Sequence, residues 1–556
     1  MAAASTAVSR GTVEEQPTRS RHSVEAVSPL SKELVIGFVG YAGAGCSTAA
    51  RRMEILLHAE GYTVHRIQLS GLIQQRAEGT KRPDIEAGPR QGIERFDRAT
   101  TLQDFGDTLR EEFGSHAIAT LGIKEIVRCR GAADHGEEKH AFLLDSIKHS
   151  DEVNLLRRVY DLSFRLIAVH CERTTRESRL VGDMRSAAKF RGVEGKRVIA
   201  YMDRDEKDTG NPHGQQVRDA FYLADYFVDN NVLSPDGVRL NDDLQRFIDL
   251  ILGKNLVRPT DAERGIFHAH AAALQSACLS RQVGAALQTP DGRIIATGTN
   301  DVPKFGGGIY SEDTEPDHRC FVWDFSDNGV SFIGCHNTRR KNKLKEEICN
   351  WLIDQFSERL ALAIHPTPSG GLDTAQAARV KAVGTIRTTF LGSVELMDQM
   401  PGVGDLIEYS RSIHAEMNAI LNAARNGAPS SGCILYCTTF PCHNCARHLV
   451  AAGISIVYYV EPYVKSLAAE LHMDSIQTEL PGIDPATGRP RQASKMVVVP
   501  FTGVGPRMYE DYFLKRGELK EKSGAYREPT GDVPAYAVRL REAAKVEAAA
   551  AGLIPE

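Results

Sequence analysis

The sequence predicts an α/β protein built from two domains. Its 556 residues are too many for one ordinary core. Between residues 34 and 252, short apolar runs alternate with helical patterns, which indicates βαβ units and a mostly parallel sheet. A second α/β pattern follows a linker-like segment at 253–259. We therefore expect a disordered tail (1–31), an N-terminal domain (32–255), a second domain (260–515) and a C-terminal helical tail (516–556).

Composition narrows the class of protein. Hydrophobic residues make up 42% of the chain and charged residues 25%, the balance of a globular protein. The formal net charge of −5 argues against a protein whose main role is to bind the phosphate backbone of nucleic acids. No apolar run reaches the about 20 residues that cross a bilayer, and residues 1–30 lack the apolar centre of a signal peptide. Eleven cysteines without a dense framework suit a reducing compartment, so we expect a cytoplasmic enzyme away from membranes.

The strands of the N-terminal domain are short apolar runs. The first, at 34–39, enters a glycine-rich turn at 40–45, and a helix follows to about residue 58. Further strands are predicted at 62–69, 141–144, 164–169 and 224–228, with helical stretches at 102–127 and 242–252.

The second domain opens with a predicted helix at 261–278 and a β-hairpin around the turn Pro290-Asp-Gly292. A polar, glycine-rich insertion at 303–340 follows. The remaining pattern alternates again: helix 414–424, strand 433–438, helix 442–452, strand 454–460 and a last strand at 495–501.

Metal-ligating residues recur at close spacing in this second domain. His414-Ala-Glu416 is followed by Pro441-Cys442-His-Asn-Cys445. One histidine and two cysteines supply three zinc ligands and leave the fourth tetrahedral position open for water. The first turn of a helix lets Cys442 and Cys445 reach one ion, and the helix dipole favours thiolates. Because zinc lowers the pKa of bound water from about 15.7 towards 7, Glu416 would then carry the protons of a hydrolysis.

The H-x-E…P-C-x-x-C pattern is typical of nucleobase deaminases. A structural zinc site is the alternative interpretation, but such sites use four protein ligands and do not need Glu416 beside His414. Over residues 260–515 the chain resembles the cytidine and deoxycytidylate deaminase superfamily. The pieces that resemble it are Arg281-Gln-Val-Gly284, Gly298-Thr-Asn300, the helix of Glu416 and the segment 438–445.

This resemblance implies substrate contacts for two further residues. Asn300 would contact the sugar or base, although a turn position is an alternative. Tyr463 would lie near the substrate, with ordinary core packing as its alternative. The resemblance also implies a homo-oligomer. The insertion carries His318, Cys320, Cys335 and His336, either a second, structural zinc site or scattered polar-loop residues.

The glycine-rich turn of the N-terminal domain has Walker A spacing between a strand and a helix. Its backbone N–H groups can close around a phosphate, and the helix N-terminus favours the negative charge. Cys46 occupies the lysine position, so the cation that reaches the outer phosphates is missing. The candidate nucleotide-binding residues are Gly40, Gly43, Gly45, Ser47, Thr48 and the magnesium-binding candidate Asp145.

The same domain resembles nucleoside monophosphate kinases and dephospho-CoA kinase. The resemblance implies a nucleotide, ATP or a dNTP, bound with Mg²⁺. Three interpretations stay open: binding without efficient phosphoryl transfer, a working kinase in which an arginine replaces the lysine, and a structural relic. The arginines at the lid position are Arg173, Arg176, Arg179, Arg185 and Arg191.

A kinase-like domain before a deoxycytidylate-type deaminase resembles a bacterial anti-phage family. Its members deaminate free dCMP or dCTP and drain the nucleotide pool, and a small inhibitory RNA is implicated in some. Two other functions remain open: editing of cytosine or adenine within RNA or single-stranded DNA, and a nucleotide- or RNA-sensing switch. Editing enzymes usually carry a basic groove and stacking aromatics, whereas this chain is acidic and has two tryptophans.

Overall fold

A computed structural model of the chain describes most residues from 31 onwards. The described residues are 31–79, 93–131, 138–181, 193–208, 211–231, 238–326, 329, 331–364, 377, 380–385, 388, 402–403, 406–463, 466–481, 492–515, 518–527 and 540–555. The predicted disordered tail therefore lies outside them, apart from Ser31.

The strands of the first sheet are β1 (Leu34–Val39), β2 (Thr63–Gln68), β3 (His140–Ile147), β4 (Phe164–His170), β5 (Tyr226–Asp229) and β12 (Gly503–Val504). Their order in the sheet is β2-β3-β1-β4-β5-β12, and the first five in this order are parallel. The predicted parallel sheet is thus present. β3 continues beyond Asp145, where the sequence predicted that its apolar run would end.

Helices cover both faces of this sheet. Alternate residues of β1 enter two different cores, Val35 and Val39 in one and Ile36 and Phe38 in the other, as expected for a strand buried on both sides. The helices are α1 (Cys46–Ala59), α2 (Leu69–Gly79), α3 (Ile93–Phe113), α4 (Ala117–Arg130), α5 (Ser150–Tyr160), α6 (Arg173–Val181), α7 (Val193–Glu206), α8 (Val217–Phe221) and α9 (Val238–Leu252).

The second sheet has the order β10-β11-β9-β8-β6-β7 and is mixed. The predicted hairpin forms its antiparallel edge, β6 (Gly284–Gln288) and β7 (Ile294–Thr299). The other strands are parallel to one another: β8 (Ile434–Thr439), β9 (Ile456–Glu461), β10 (Ile476–Gln477) and β11 (Met496–Pro500).

The helices of this second unit enclose its sheet from two sides. One face of the sheet packs on the helix at 261–273, whose Ile266 and Ala269 lie in the same core as Tyr436. The opposite face packs on the helices at 415–425 and 443–451, through Ala419 and Leu449. The helices named after residue 260, not all of which pack on this sheet, are α10 (Asp261–Ala273), α11 (His336–Ile364), α12 (Ala415–Arg425), α13 (His443–Ala451), α14 (Ala468–Leu471), α15 (Tyr509–Phe513) and α16 (Leu540–Ala551).

The chain joins the two sheets after β11. Phe501 contacts Phe227 of β5, with ring centroids 5.9 Å apart, and β12 then pairs antiparallel with β5. The last helix, α16, packs on α4 and α5 of the first unit. Its Glu547 is buried and forms an ion pair with Arg130 at 2.6 Å. The C-terminal part that the sequence predicted as a helical tail is therefore packed into the fold.

A cavity of about 490 Å³ lies between the two units. β5 and α9 line it on one side, and β9, β11 and the start of α10 on the other. None of the described helices is both long and apolar enough to span a membrane.

Candidate functional site

The three predicted metal ligands lie at the N-termini of two neighbouring helices. His414 caps α12 and Cys442 caps α13, both with extended backbone, and Cys445 lies in the first turn of α13. Nδ1 of His414 is 3.3 Å from the sulfur of Cys442 and 3.3 Å from that of Cys445. The three ligand atoms all lie within 4.8 Å of one another. One nitrogen and two sulfurs at this separation fit a zinc ion with one open position.

The two sulfurs of this centre differ in their affinity for a proton. The hydrogen bond from Cys445, together with that from His414, lowers the pKa of Cys442 to about 4. Burial raises the pKa of the Cys445 thiol. The pair therefore holds a thiolate and a thiol, and a divalent metal displaces such a proton when it binds.

Glu416 lies in the first turn of α12 and is 4% exposed. Its carboxyl group is in hydrogen-bond contact with Cys445 and Cys437, and burial raises its pKa. The first turn of the helix thus directs Glu416 towards the same space as the ligand His414. The positive charge of His414 opposes this rise in the pKa of Glu416.

A cavity of about 180 Å³ opens at these residues. Sequence reasoning gave no separate role to several of its walls, among them Thr439 and Phe440 from the end of β8 and Asn337 from the start of α11. Thr439 and Phe440 stand directly before the cysteine motif, which was the available signal. The described residues that line it are Cys278, Ser280, Arg281, Val283, Asn300, Asn337, Ile407, Ser410, Ser412, His414, Ala415, Glu416, Thr439, Phe440, Cys442 and Tyr463.

Asn300 and Tyr463, the predicted substrate-contact residues, both line this cavity. The side-chain amide of Asn300 donates to the carbonyl of Arg281 at 2.7 Å and accepts from the N–H of Val283 at 2.6 Å. Both polar ends of the amide are thus engaged with backbone. Asn300 fixes the segment that forms one wall, and its contact with a substrate stays a prediction.

The insertion does not assemble a second metal centre from its described residues. Among the described residues, one group of three metal-ligating side chains lies close enough for an ion, and it is the group of His414. His318 and His336 instead stack on Trp323, with ring centroids 5.6 and 5.8 Å away. Cys320 lies near Cys335. The two histidines thus belong to an aromatic cluster around Trp323.

The glycine-rich loop connects β1 to α1 in the predicted way. Gly43 and Gly45 have φ angles of 82° and 91°, which β-carbon-bearing residues rarely adopt. Ser47 donates a hydrogen bond to the buried carboxylate of Asp145. The N–H of Thr48 donates to the Gly45 carbonyl at 3.0 Å.

Gly40 closes the start of this loop. A Cβ atom at Gly40 would lie 2.7 Å from the sulfur of Cys46 and 2.9 Å from the carbonyl of Val169, so any larger residue would collide. The loop is therefore packed tightly against β4, and the side chain at the lysine position points into the same space.

Two of the predicted lid arginines contact the loop itself. Arg176 donates to the carbonyl of Ala42 at 3.4 Å, and Arg179 to that of Ala44 at 3.3 Å. Arg173 forms ion pairs away from the loop, with Glu177 and Asp203. Arg185 and Arg191 lie outside the described residues.

The part of the chain that carries the metal centre matches a known family. Residues 320–461 match the family described as "Cytidine and deoxycytidylate deaminase zinc-binding region". This segment includes all three ligands and Glu416. The region is thus similar to the zinc-binding region of the cytidine and deoxycytidylate deaminases.

Two curated relatives match this chain over short segments. ComE operon protein 2 of Bacillus subtilis is 41% identical over 76 residues, which are 13% of this chain and 40% of the relative. The deoxycytidylate deaminase of Enterobacteria phage T4 is 48% identical over 54 residues, 10% of this chain and 28% of the relative. The chain thus spans less than half the length of these relatives.

Among solved structures, dCMP deaminase from the cyanophage S-TIM5 aligns with 44% of this chain and 100% of its own at 15% identity. The TM-score of 0.20 is too low to define a shared fold.

Proposed function

We propose that the chain is a zinc-dependent deaminase that hydrolyses free deoxycytidine nucleotides. Its products from dCMP or dCTP would be dUMP or dUTP and ammonia. Two observations carry the proposal: the ligand atoms of His414, Cys442 and Cys445 lie close enough to hold one ion, and the buried Glu416 lines the same cavity as His414 and Cys442. The similarity of residues 320–461 to a deaminase zinc-binding region supports the same reaction.

The donor set fits zinc, with His414, Cys442 and Cys445 as ligands. Zinc, when bound, lowers the pKa of water and so supplies a nucleophile at neutral pH. Glu416 would accept one proton from the attacking water and deliver it to the ring nitrogen of cytosine. It would then move the remaining proton of the added hydroxyl to the amino group, which leaves as ammonia. The burial of Glu416 keeps bulk water away from these transfers.

A free nucleotide suits the site better than a base held in a polynucleotide. Arg281 lines the cavity and forms an ion pair with Glu461, and its guanidinium would contact the phosphate of a bound nucleotide. The formal net charge of −5 also disfavours an extended nucleic-acid groove.

We further propose that the glycine-rich domain binds a nucleotide with Mg²⁺ and regulates the deaminase. The connection through Phe501 and β12 supports such coupling, because the two sheets share one chain segment. The order of the domains resembles the anti-phage family, so depletion of the deoxycytidine nucleotide pool during infection is the proposed role. Three predictions remain: the cytoplasmic location expected from the cysteines, the homo-oligomer implied by the deaminase resemblance, and the small inhibitory RNA implied by the anti-phage resemblance.

Product analysis by chromatography tests the reaction. Purified chain is mixed in parallel with dCMP, dCTP, CMP, CTP and a cytosine-containing oligonucleotide. We expect conversion of dCMP or dCTP and a loss of at least about hundredfold in the Glu416→Gln variant, since general acid–base catalysis is removed. The zinc content of that variant should equal that of the parent chain. Conversion of the oligonucleotide alone would favour editing and contradict the proposal.

A further inference from the structure

The lysine position of the glycine-rich loop carries a neutral group. Cys46 is 7% exposed, and burial raises the pKa of its thiol to about 12. Its sulfur therefore supplies no charge to a phosphate at neutral pH. A phosphate at this loop needs a cation from another part of the chain.

Lys148 brings a cation to the loop from the end of β3. Its Nζ donates to the carbonyl of Gly40, the first loop residue, at 3.0 Å. The same Nζ lies 2.8 Å from Oδ1 of Asp205. The charge that the motif lacks at Cys46 is thus present at the loop, where it is neutralised by a carboxylate.

Asp205 places this carboxylate directly on the loop. It lies near the end of α7, is 1% exposed, and its Oδ2 accepts from the N–H of Ala42 at 2.7 Å. A loop N–H that binds a carboxylate already acts as an anion site, with an anion from the chain itself. The loop can therefore hold a negative charge together with Lys148.

Other backbone N–H groups of the loop are available to bind a second anion. The N–H groups of Gly43, Gly45, Cys46 and Ser47 have no hydrogen-bond partner among the described residues. These groups lie at the start of α1, where the helix dipole favours a phosphate. A phosphate bound there would lie next to the Asp205 carboxylate, and the two negative charges would repel each other.

We propose that the ion pair between Lys148 and Asp205 is a latch, closed when the pair is formed, and that a nucleoside triphosphate opens it. The phosphate replaces Asp205 as the partner of Lys148, and the end of α7 moves away from the loop. The proposal deepens the proposed nucleotide regulation of the glycine-rich domain and does not depend on deamination. A closed latch lowers the fraction of binding-competent chains, and a fraction of about one in ten weakens the apparent affinity about tenfold.

Calorimetric titration of the full chain with ATP and Mg²⁺ tests the latch. ATP contains no cytosine, so its binding is separable from deaminase turnover. We expect the Asp205→Asn variant to bind roughly tenfold tighter than the parent, because the opposing charge is gone while the amide still accepts from Ala42. The Lys148→Met variant should bind at least about tenfold more weakly than the parent.

Asp203→Asn is the matched control. Asp203 is on the same helix, but its side chain is 55% exposed and pairs with Arg173, so this variant should bind ATP as the parent does. An Asp205→Asn variant no tighter than the parent, or a Lys148→Met variant as tight as the parent, would overturn the proposal.

Hydrogen exchange on the unmodified chain provides a test that needs no variant. With ATP and Mg²⁺, residues 40–48 should exchange more slowly and the end of α7 faster. Slower exchange in the loop with unchanged exchange in α7 would mean that the latch stays closed and the proposal is wrong. An absence of any protection in the loop would also exclude it. Loss of dCMP or dCTP conversion in Glu416→Gln is measured separately and bears on the deaminase alone.

Discussion

The ring of Tyr459 meets the ring of Phe440 edge-on, with centroids 4.9 Å apart. Phe440 is a wall of the cavity at the candidate metal centre, directly before the cysteine motif. The ring of Tyr459 also meets that of His170, at the end of β4 in the first sheet, with centroids 6.4 Å apart. One residue of β9 therefore supports the cavity wall and contacts the neighbouring unit.

Replacement of Tyr459 by leucine should impair the cavity more than the fold. Without the ring, Phe440 loses its support, and a small misplacement of a site wall costs roughly ten- to hundredfold in turnover. We expect kcat/KM for dCMP or dCTP to fall by this amount with zinc content retained. Tyr459→Phe, which keeps the ring, should retain activity.

Tyr458→Leu is the control on the same strand. Tyr458 stacks on Tyr436, with centroids 5.4 Å apart, and lies away from Phe440. The variant should lower the melting temperature and leave kcat/KM close to that of the parent. An equal loss of kcat/KM in both leucine variants would contradict the role given to Tyr459.

Removal of one sulfur should empty the metal centre. The Cys442→Ser variant keeps two of three ligands, and we expect its zinc content to fall from about one equivalent to near zero, with activity lost. Elemental analysis of the purified chain measures this. Cys433→Ser is the matched control, because Cys433 is buried away from the centre and donates to the carbonyl of Pro429. Full zinc content in Cys442→Ser would refute the assignment of the ligand.

A methyl group at Gly298 should displace the helix that carries Glu416. A Cβ there would lie 2.1 Å from the carbonyl oxygen of Ala415 and 2.3 Å from the nitrogen of Ala419, so α12 would have to move away from β7. We expect Gly298→Ala to cost about 1–3 kcal/mol of stability and most of the activity. Denaturant unfolding and product analysis measure the two effects.

Gly384→Ala is the control for this overpacking. Gly384 is helical, and no heavy atom lies within 4 Å of a Cβ built on it. Alanine there should leave stability unchanged or slightly raise it, since glycine disfavours helix. Equal losses in the two glycine variants would exclude the steric explanation.

The cavity between the two units should make stability depend on pH. Burial, with the negative charges of Glu479 and Asp229, raises the pKa of Glu172 to about 7. The folded-state pKa of Glu172 lies above its value in an unfolded chain. The contribution of Glu172 to the free energy of unfolding is therefore fully present below the unfolded value of about 4.3 and is lost as the pH rises through about 7.

The Glu172→Gln variant cannot ionise and should escape this loss. We expect its melting temperature to exceed that of the parent at about pH 8, with the difference shrinking towards about pH 4. Glu470→Gln, at an exposed position, should follow the parent at both values. A constant difference across this range would contradict the ionisation of Glu172 as its cause.

The sequence predicted the candidate site best where its residues are close along the chain. His414 and Glu416 fall within one helical turn, as do Cys442 and Cys445, so local spacing alone indicates a metal site. The walls from the insertion were harder to predict. Asn337 reaches the cavity because α11 begins there, whereas the neighbouring Cys335 and His336 suggested a second zinc site instead.

Strand prediction failed where the strands are very short. β10 and β12 have two residues each, too few for a periodic pattern, and their pairing depends on an edge already provided by β11 and β5. α10 likewise ends at Ala273 rather than at the predicted residue 278. The carbonyl of Asn300 and the carboxylate of Asp301 there accept hydrogen bonds from Ser276 and the N–H of Ala277, which draws the chain away from helix.

The sequence by itself determined the alternation of strands and helices, the three candidate metal ligands with Glu416, and a glycine-rich loop without its lysine. Tertiary structure alone decided what meets that loop. Asp205 and Ala42 are separated by 163 positions, and Lys148 and Gly40 by 108. Contacts at such separations depend on how the sheet and its helices pack, because no local backbone preference acts over that distance.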